Sequence, residues 1–263
     1  MQNLGRVAHL TFPKCGSQWV RNVLTDSRIR KHSGFALEEI DHRQFAATWR
    51  TKSPSSFVGP VYNIPLQAWG RVSRPEDRAV VVLRDPRDQI VSWIFSLLYS
   101  HRNEGGVQIF RDLLRSLEDR ARLALICEHW RSFHGSYRSW VQAEVELPAN
   151  LLVTSYEAIL ADQKGSFRQI IDFFGWKVPR DIIEEVVEAH SFERLSGRPR
   201  GLEDVDSHLR KATVGDWRSY FDSITGRFFE TRYSGLLSLL GYEKDPHWYE
   251  SLSESPLKSF SRD

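Results

Sequence analysis

The chain has 263 residues, 41% of them hydrophobic and 27% charged, with 36 Lys and Arg against 34 Asp and Glu. That balance suits a soluble globular protein with a sizeable core, and a net charge of +2 is too mild for a nucleic-acid binder. Two cysteines, Cys15 and Cys127, supply neither a disulfide framework nor a CxxC metal pattern, which points to a reducing compartment, the cytoplasm.

Residues 6–12 read as a strand that runs through a Pro-Lys-Cys-Gly-Ser turn into an apolar-periodic helix at 17–25. With the strand starting so early, no room is left for a signal peptide. Residues 26–78 mix Ser, Pro, Gly and aromatics, as in "TKSPSSFVGPVYNIP", and are expected to form loops and short helices that shape a ligand pocket. "AVVVLR" at 79–84 is a continuous β-branched run, the pattern of a parallel strand buried on both faces. The next helix is expected to open with Asp85 as N-cap, Pro86 at its first position and Asp88 in its first turn. The apolar run inside it, "IVSWIFSLLY" at 90–99, is too short to span a bilayer.

Helical spacing covers 107–142, a third strand 150–156, and two more helices 162–174 and 180–190. The Gly- and charge-rich 196–216 is expected to be a mobile loop. A last helix covers 226–240, and the Ser-rich tail after Pro246 is expected to be loosely attached. Strands alternating with helices predict a single α/β domain over 1–245 and a tail over 246–263. The domain is expected to hold a central parallel sheet flanked by helices.

The turn at 13–17 has the make-up of an anion site. Successive N–H groups between a strand and a helix converge, and the helix N-terminus adds partial positive charge. Gly16 lets the backbone approach a ligand, Lys14 supplies a full charge, and Ser17 and Gln18 can donate from their side chains. The GxxxxGK[ST] spacing of a nucleotide triphosphate loop is missing, since the lysine precedes the glycine. Asp85 is better used as a helix cap than as a magnesium ligand, so a kinase-like P-loop protein is the weaker alternative and no metal is expected.

At this point "TFPKCGSQW" resembles the phosphosulfate loop of the cytosolic-type sulfotransferases, YPKSGTTW, with Trp19 at the matching position. Three further motifs follow in order. "LRDPRDQIVSWIFS" resembles the 3′-phosphate segment RNPKDxxVSxxxF, "LLVTSYEAIL" the strand and helix carrying YEDM, and "LRKATVGDWRSYF" the RKGxxGDWxxxF segment. Together they cover residues 8 to 221. The resemblance implies transfer of the sulfuryl group of 3′-phosphoadenosine 5′-phosphosulfate (PAPS) to a hydroxyl or amine of a small-molecule acceptor, leaving PAP.

It implies roles residue by residue. Lys14 would stabilise the departing phosphate oxygen, and Cys15, Gly16, Ser17 and Gln18 would hold the 5′ end. Arg84 and Ser92 would bind the 3′-phosphate, with Arg210, Lys211 and Ala212 closing over it. Ala212 stands where the family has glycine, which restricts φ. Trp19, Tyr156 and Phe192 would hold the adenine; His190 replaces the threonine of the family's TSF segment before Phe192.

The pattern breaks at "VYNIP", where Asn63 stands at the place of the family's catalytic histidine. An amide has no usable pKa near neutrality, so Asn63 is assigned to orienting the acceptor. The base is sought instead in "KHSGFALEEIDHR", with His32 and Glu39 the leading choices. His101 is a third, and an acceptor that needs no protein base a fourth. With that histidine missing, a catalytically weak PAP- or PAPS-binding module is the other reading. The family's dimer signature, KxxxTVxxxE, is not evident in "RSYFDSITGRFFE", which leaves the oligomeric state open. Short length and the absence of a membrane segment favour a bacterial small-molecule enzyme, with a secondary metabolite as acceptor and no nucleic-acid or membrane partner.

Overall fold

The computed structural model describes residues 5–142 and 148–262, and for His42 the backbone alone. In chain order the elements begin β1 (Val7–Thr11), α1 (Ser17–Leu24), α2 (Ser27–Ser33), β2 (Ala36–Glu38), α3 (Phe45–Thr48), β3 (Ser56–Tyr62), α4 (Leu66–Val72) and β4 (Arg78–Leu83). They continue with α5 (Pro86–Phe95), α6 (Val107–Ser116), α7 (Asp119–Ser139), β5 (Leu151–Ser155), α8 (Tyr156–Ala161) and α9 (Gln163–Phe173). The last are α10 (Arg180–Ala189), α11 (Phe192–Ser196), α12 (Ser223–Arg232) and α13 (Leu236–Leu239). The chain divides into two compact units, residues 1–84 with 135–197, and residues 85–134 with 198–263.

The first unit is built on a five-stranded parallel sheet in the order β2-β3-β1-β4-β5. Every residue of β1 is buried, His9 and Thr11 included, as are Ala79 to Leu83 of β4, which is why β4 reads as an unbroken apolar run. The expected α/β architecture is therefore present. The register pairs Thr11 with Tyr62 and Val82, and Leu83 with Ser155. The residues that follow these strand ends (Phe12 to Ser17, Asn63, Arg84 and Tyr156) leave the sheet along one edge. Open parallel sheets bind ligands at that edge.

Two strands, β2 and β3, lie inside the segment expected to be loops and short helices. In β3 the Gly59-Pro60 pair interrupts any apolar alternation, and the pairing with β1 shifts between Ala8 and Leu10 at that point. Gly59 has φ 157°, and a Cβ there would stand 2.8 Å from that of His9, so only glycine fits. Below the sheet Asp77 is fully buried and accepts from the N–H groups of Arg6 (3.0 Å) and Arg74 (2.9 Å) and from Trp49 Nε1 (3.0 Å).

The second unit carries α5, α6, most of α7, α12 and α13. Asp85 caps α5 by accepting from the Arg87 N–H at 2.9 Å, with Pro86 in the first turn as expected. Arg87 is buried between Trp217 (3.6 Å) and Trp248 (4.6 Å) and pairs with Asp85 and Glu243. The tail expected to be loose instead anchors itself here. Trp248 and Phe260 are both buried, and Phe260 stacks on Tyr220 at 4.8 Å. The single helix expected over 226–240 is broken after α12, where Gly235 takes φ 71°.

Candidate functional site

In the first unit the turn after β1 leads directly into α1, which starts without a side-chain cap. The first N–H groups of the helix therefore have no intrahelical acceptor and face the turn. Lys14 itself takes a left-handed φ of 67°, unusual for a residue with a Cβ, and Gly16 follows at 74°. A Cβ on Gly16 would stand 2.8 Å from the Tyr156 ring, so the glycine is required both by its φ and by its neighbour.

Arg84 and Tyr156, at the ends of β4 and β5, reach the same turn. Arg84 Nη1 donates to the Lys14 carbonyl at 2.9 Å, and its guanidinium lies 4.4 Å from the centre of the Tyr156 ring. Trp19 packs edge-on to Tyr156 (6.1 Å) and Phe167 (5.4 Å), and its buried Nε1 finds no partner among the described residues. From β3, the Tyr62 hydroxyl sits 3.0 Å from Ser17 Oγ and accepts from Gln18 Nε2 at 3.5 Å. Asn63 donates its backbone N–H to the Thr11 carbonyl at 3.0 Å with φ 58°, a conformation that asparagine tolerates better than most residues. Cys15 is fully buried; desolvation pushes its thiol up to about 12, so it stays protonated and inert.

Phe192 is buried at the start of α11, which Ser191 caps. The neighbouring His190 Nε2 lies 3.0 Å from Asp26 Oδ2. Hydrogen bonds from Arg28, and this one from His190, hold the Asp26 carboxyl well below the usual carboxylate range. His32 is exposed in the last turn of α2, and Glu39 is exposed just beyond the edge strand β2. Glu38 pairs in register with Val58, four residues before Tyr62, or ~13 Å along the strand. The register therefore sets the end of β2 back from the edge where Lys14 lies.

In the second unit Ser92 is half-buried on α5, and Arg210 and Lys211 lie in the segment between α11 and α12. That segment, expected to be mobile, is stapled from within. Arg198 donates to the carbonyls of Leu202, Leu209 and Arg210, and Asp88 accepts from the N–H groups of Gly215 (2.8 Å) and Trp217 (2.9 Å). Arg210 pairs with Glu203 and Asp216, and Lys211 pairs with Asp216. Burial pushes the Asp216 carboxyl up, but the Arg210 and Lys211 charges outweigh it and leave the group below its ordinary value. Ala212 is held at φ 51°, the left-handed region the family's glycine would enter freely. His101 Nδ1 lies 3.5 Å from Ser96 Oγ.

A sulfotransferase-domain family model matches residues 60–241, more than half of the chain. The chain belongs to the sulfotransferase family. It is similar to mouse sulfotransferase 2A6, 23% identical over 234 residues that cover 81% of this chain and 77% of that protein. It is also similar to mouse sulfotransferase 2A2, 27% identical over 245 residues, covering 84% and 80%. In fold it resembles mouse sulfotransferase SULT7A1 complexed with PAP, at TM-score 0.60 and 18% identity, over 90% and 88% of the two chains. A retinol dehydratase in complex with androsterone and inactive cofactor PAP matches at TM-score 0.53 and 17% identity, over 88% and 80%. The sequence motifs and the family model thus agree on the sulfotransferase family.

The matched residues begin after the turn at 13–17, so the reading of Lys14 rests on the motif and on the geometry above. From the sequence Tyr62 reads only as an aromatic of the acceptor pocket; its contact with Ser17 depends on the β1–β3 register rather than on any local pattern. Sequence reasoning missed the carboxylates Glu203 and Asp216 that hold the two loop cations. Spacing along the loop could have suggested them, because opposite charges recur within it. Among the described residues no helix is long and apolar enough to cross a membrane.

Proposed function

We propose that this sulfotransferase binds PAPS at the turn between β1 and α1 and passes its sulfuryl group to a hydroxyl or amine of a small-molecule acceptor. The observation that carries this reading is the convergence of Lys14, the uncapped start of α1, Arg84 and Tyr156 on one turn. The residues fit the group. Gly16 keeps the turn open, and Trp19 and Tyr156 provide aromatic faces beside it.

Bound PAPS supplies an activated sulfuryl group, joined to phosphate through a bridging oxygen. In transfer the S–O bond to phosphate breaks as the acceptor's bond to sulfur forms, and negative charge collects on the bridging oxygen. Lys14 places an ammonium at that developing charge, which lowers the barrier more than it tightens ground-state binding. The N–H groups opening α1 hold the 5′ phosphate oxygens, with Ser17 and Gln18 adding donors. Arg84 grips the 3′-phosphate through its planar fork. The family resemblance gives Ser92, Arg210 and Lys211 the same ligand group and Phe192 the adenine.

Asn63 turns the chain at the end of β3 and offers an amide to orient the acceptor. The register sets Glu39 back from the turn of Lys14, which leaves His32 as the protein base, or an acceptor that loses its proton to solvent before transfer. The test is calorimetric titration with PAP beside a screen of acceptors with labelled PAPS and mass detection. Micromolar PAP binding with label in at least one acceptor supports the reading. PAP binding with transfer to no acceptor makes the chain a binding module, and no PAP binding removes the site.

A further inference from the structure

Tyr137, on the last part of α7, is fully buried and belongs to none of the motifs. Its hydroxyl accepts from the Arg84 backbone N–H at 2.6 Å and donates to the Arg84 carbonyl, so it holds both polar groups of one residue. These are the groups that a parallel ladder would otherwise pair. Arg84 is the first residue past the end of β4, where the register with β1 and β5 has stopped. Without a partner, a buried N–H and C=O at this position would carry the full cost of lost water. The same hydroxyl touches the Cys15 thiol, and the ring packs against Phe12 at 4.5 Å with the two planes tilted by 51°. One side chain thereby contacts the strand end that carries Arg84 and residues on either side of Lys14.

We infer that Tyr137 is a positioning residue for the anion site. It fixes the backbone of Arg84 so that the guanidinium is held between the Lys14 carbonyl and the Tyr156 ring, ready for the 3′-phosphate. The inference rests on the assignment of Arg84 to that phosphate. Tyr137 touches no ligand atom in this account; it acts through Arg84. Its loss leaves every charge in place and loosens where one of them points.

The test compares the affinities of PAP and adenosine 5′-monophosphate, which differ only in the 3′-phosphate, by calorimetry on the full chain. Tyr137→Phe removes one oxygen and keeps the ring on Phe12. It is expected to weaken PAP by about tenfold while changing the monophosphate by about twofold or less. A merely structural role would weaken both ligands together or neither. Arg84→Ala is expected to collapse the PAP preference, and Tyr137→Phe in that background to change neither affinity further. Phe12→Leu, which removes the ring packed against Tyr137 and keeps the hydroxyl bonds, is expected to lower the preference in the same direction by a smaller factor. It serves as the test should Tyr137→Phe fail to fold. A collapsed preference in Arg84→Ala with an unchanged one in Tyr137→Phe or Phe12→Leu overturns the role of Tyr137 alone. An unchanged preference in Arg84→Ala overturns the Arg84 assignment, and this role with it.

Discussion

Lys14 and Gly16 take left-handed backbone angles within three residues, and only one of them is a glycine. A residue with a Cβ in that region costs about 1–2 kcal/mol, and here the strained residue is the lysine that precedes the uncapped start of α1. Gly16 meets a second constraint in the Tyr156 ring. Gly16→Ala should therefore do more than strain the turn: it should push the ring away and disturb the stack with Arg84 and Trp19. The expected result is a loss of PAP affinity of tenfold or more, read by calorimetry, with unfolding destabilised by about 1–2 kcal/mol. Wild-type PAP affinity in this variant would remove Gly16 from the account. Asn63 shows the same logic at the end of β3. Its positive φ gives the asparagine a backbone reason to be there, independent of any acceptor.

At the scale of elements, the segment carrying Arg210 and Lys211 holds its cations against Glu203 and Asp216. A phosphate binding to them must compete with carboxylates already in place. Glu203→Gln should remove part of that competition. A part-exposed ion pair contributes about 1 kcal/mol or less, so PAP affinity should rise by about twofold to fivefold. Titrations of the variant and the wild type at one ionic strength measure it, and weaker binding in the variant would contradict it. The loop also shows what a sequence withholds. The positions of Lys14, Arg84 and Tyr156 just past strand ends were legible because each lies in a short contiguous pattern. Strand β4 was legible because burial on both faces leaves an unbroken apolar run, and β1 and β5 because each opens on apolar residues just before a motif. The β3 strand was not, because Gly59 answers to the close approach of His9, and with Pro60 it interrupts the strand pattern. Tyr62 and Tyr137 gain their contacts from cross-strand register and helix packing, which no local spacing reports. The tail after Pro246 read as polar, yet two aromatics, Trp248 and Phe260, fix it.

Across the whole molecule, titration links the buried core to stability. His9 is fully buried at the centre of the sheet, and neither ring nitrogen has a partner among the described residues. Burial lowers its pKa to about 3, from an ordinary value of 6.5. The unfolded chain therefore binds a proton below pH 6.5 that the folded chain refuses. The stabilisation is present above that value and is lost as pH falls toward 3. Between pH 7.5 and 5 the loss amounts to about 2 kcal/mol. Denaturant unfolding of wild type and His9→Leu at both pH values should show this difference in wild type alone; an equal loss in the variant would contradict it. At the alkaline end Cys15 behaves in the opposite sense. Its folded thiol stays protonated up to about 12 against an ordinary 9, so its contribution is lost as pH rises from 9.

The central claim is that Lys14 stabilises the oxygen that departs when the sulfuryl group is transferred. Its most direct measure is the single-turnover rate of label transfer from PAPS to a working acceptor, in wild type and in Lys14→Ala. Lys14→Ala is expected to lower the rate by about 10²–10³-fold, with PAP affinity kept within about tenfold and the fold intact. A variant that transfers label at the wild-type rate would contradict it.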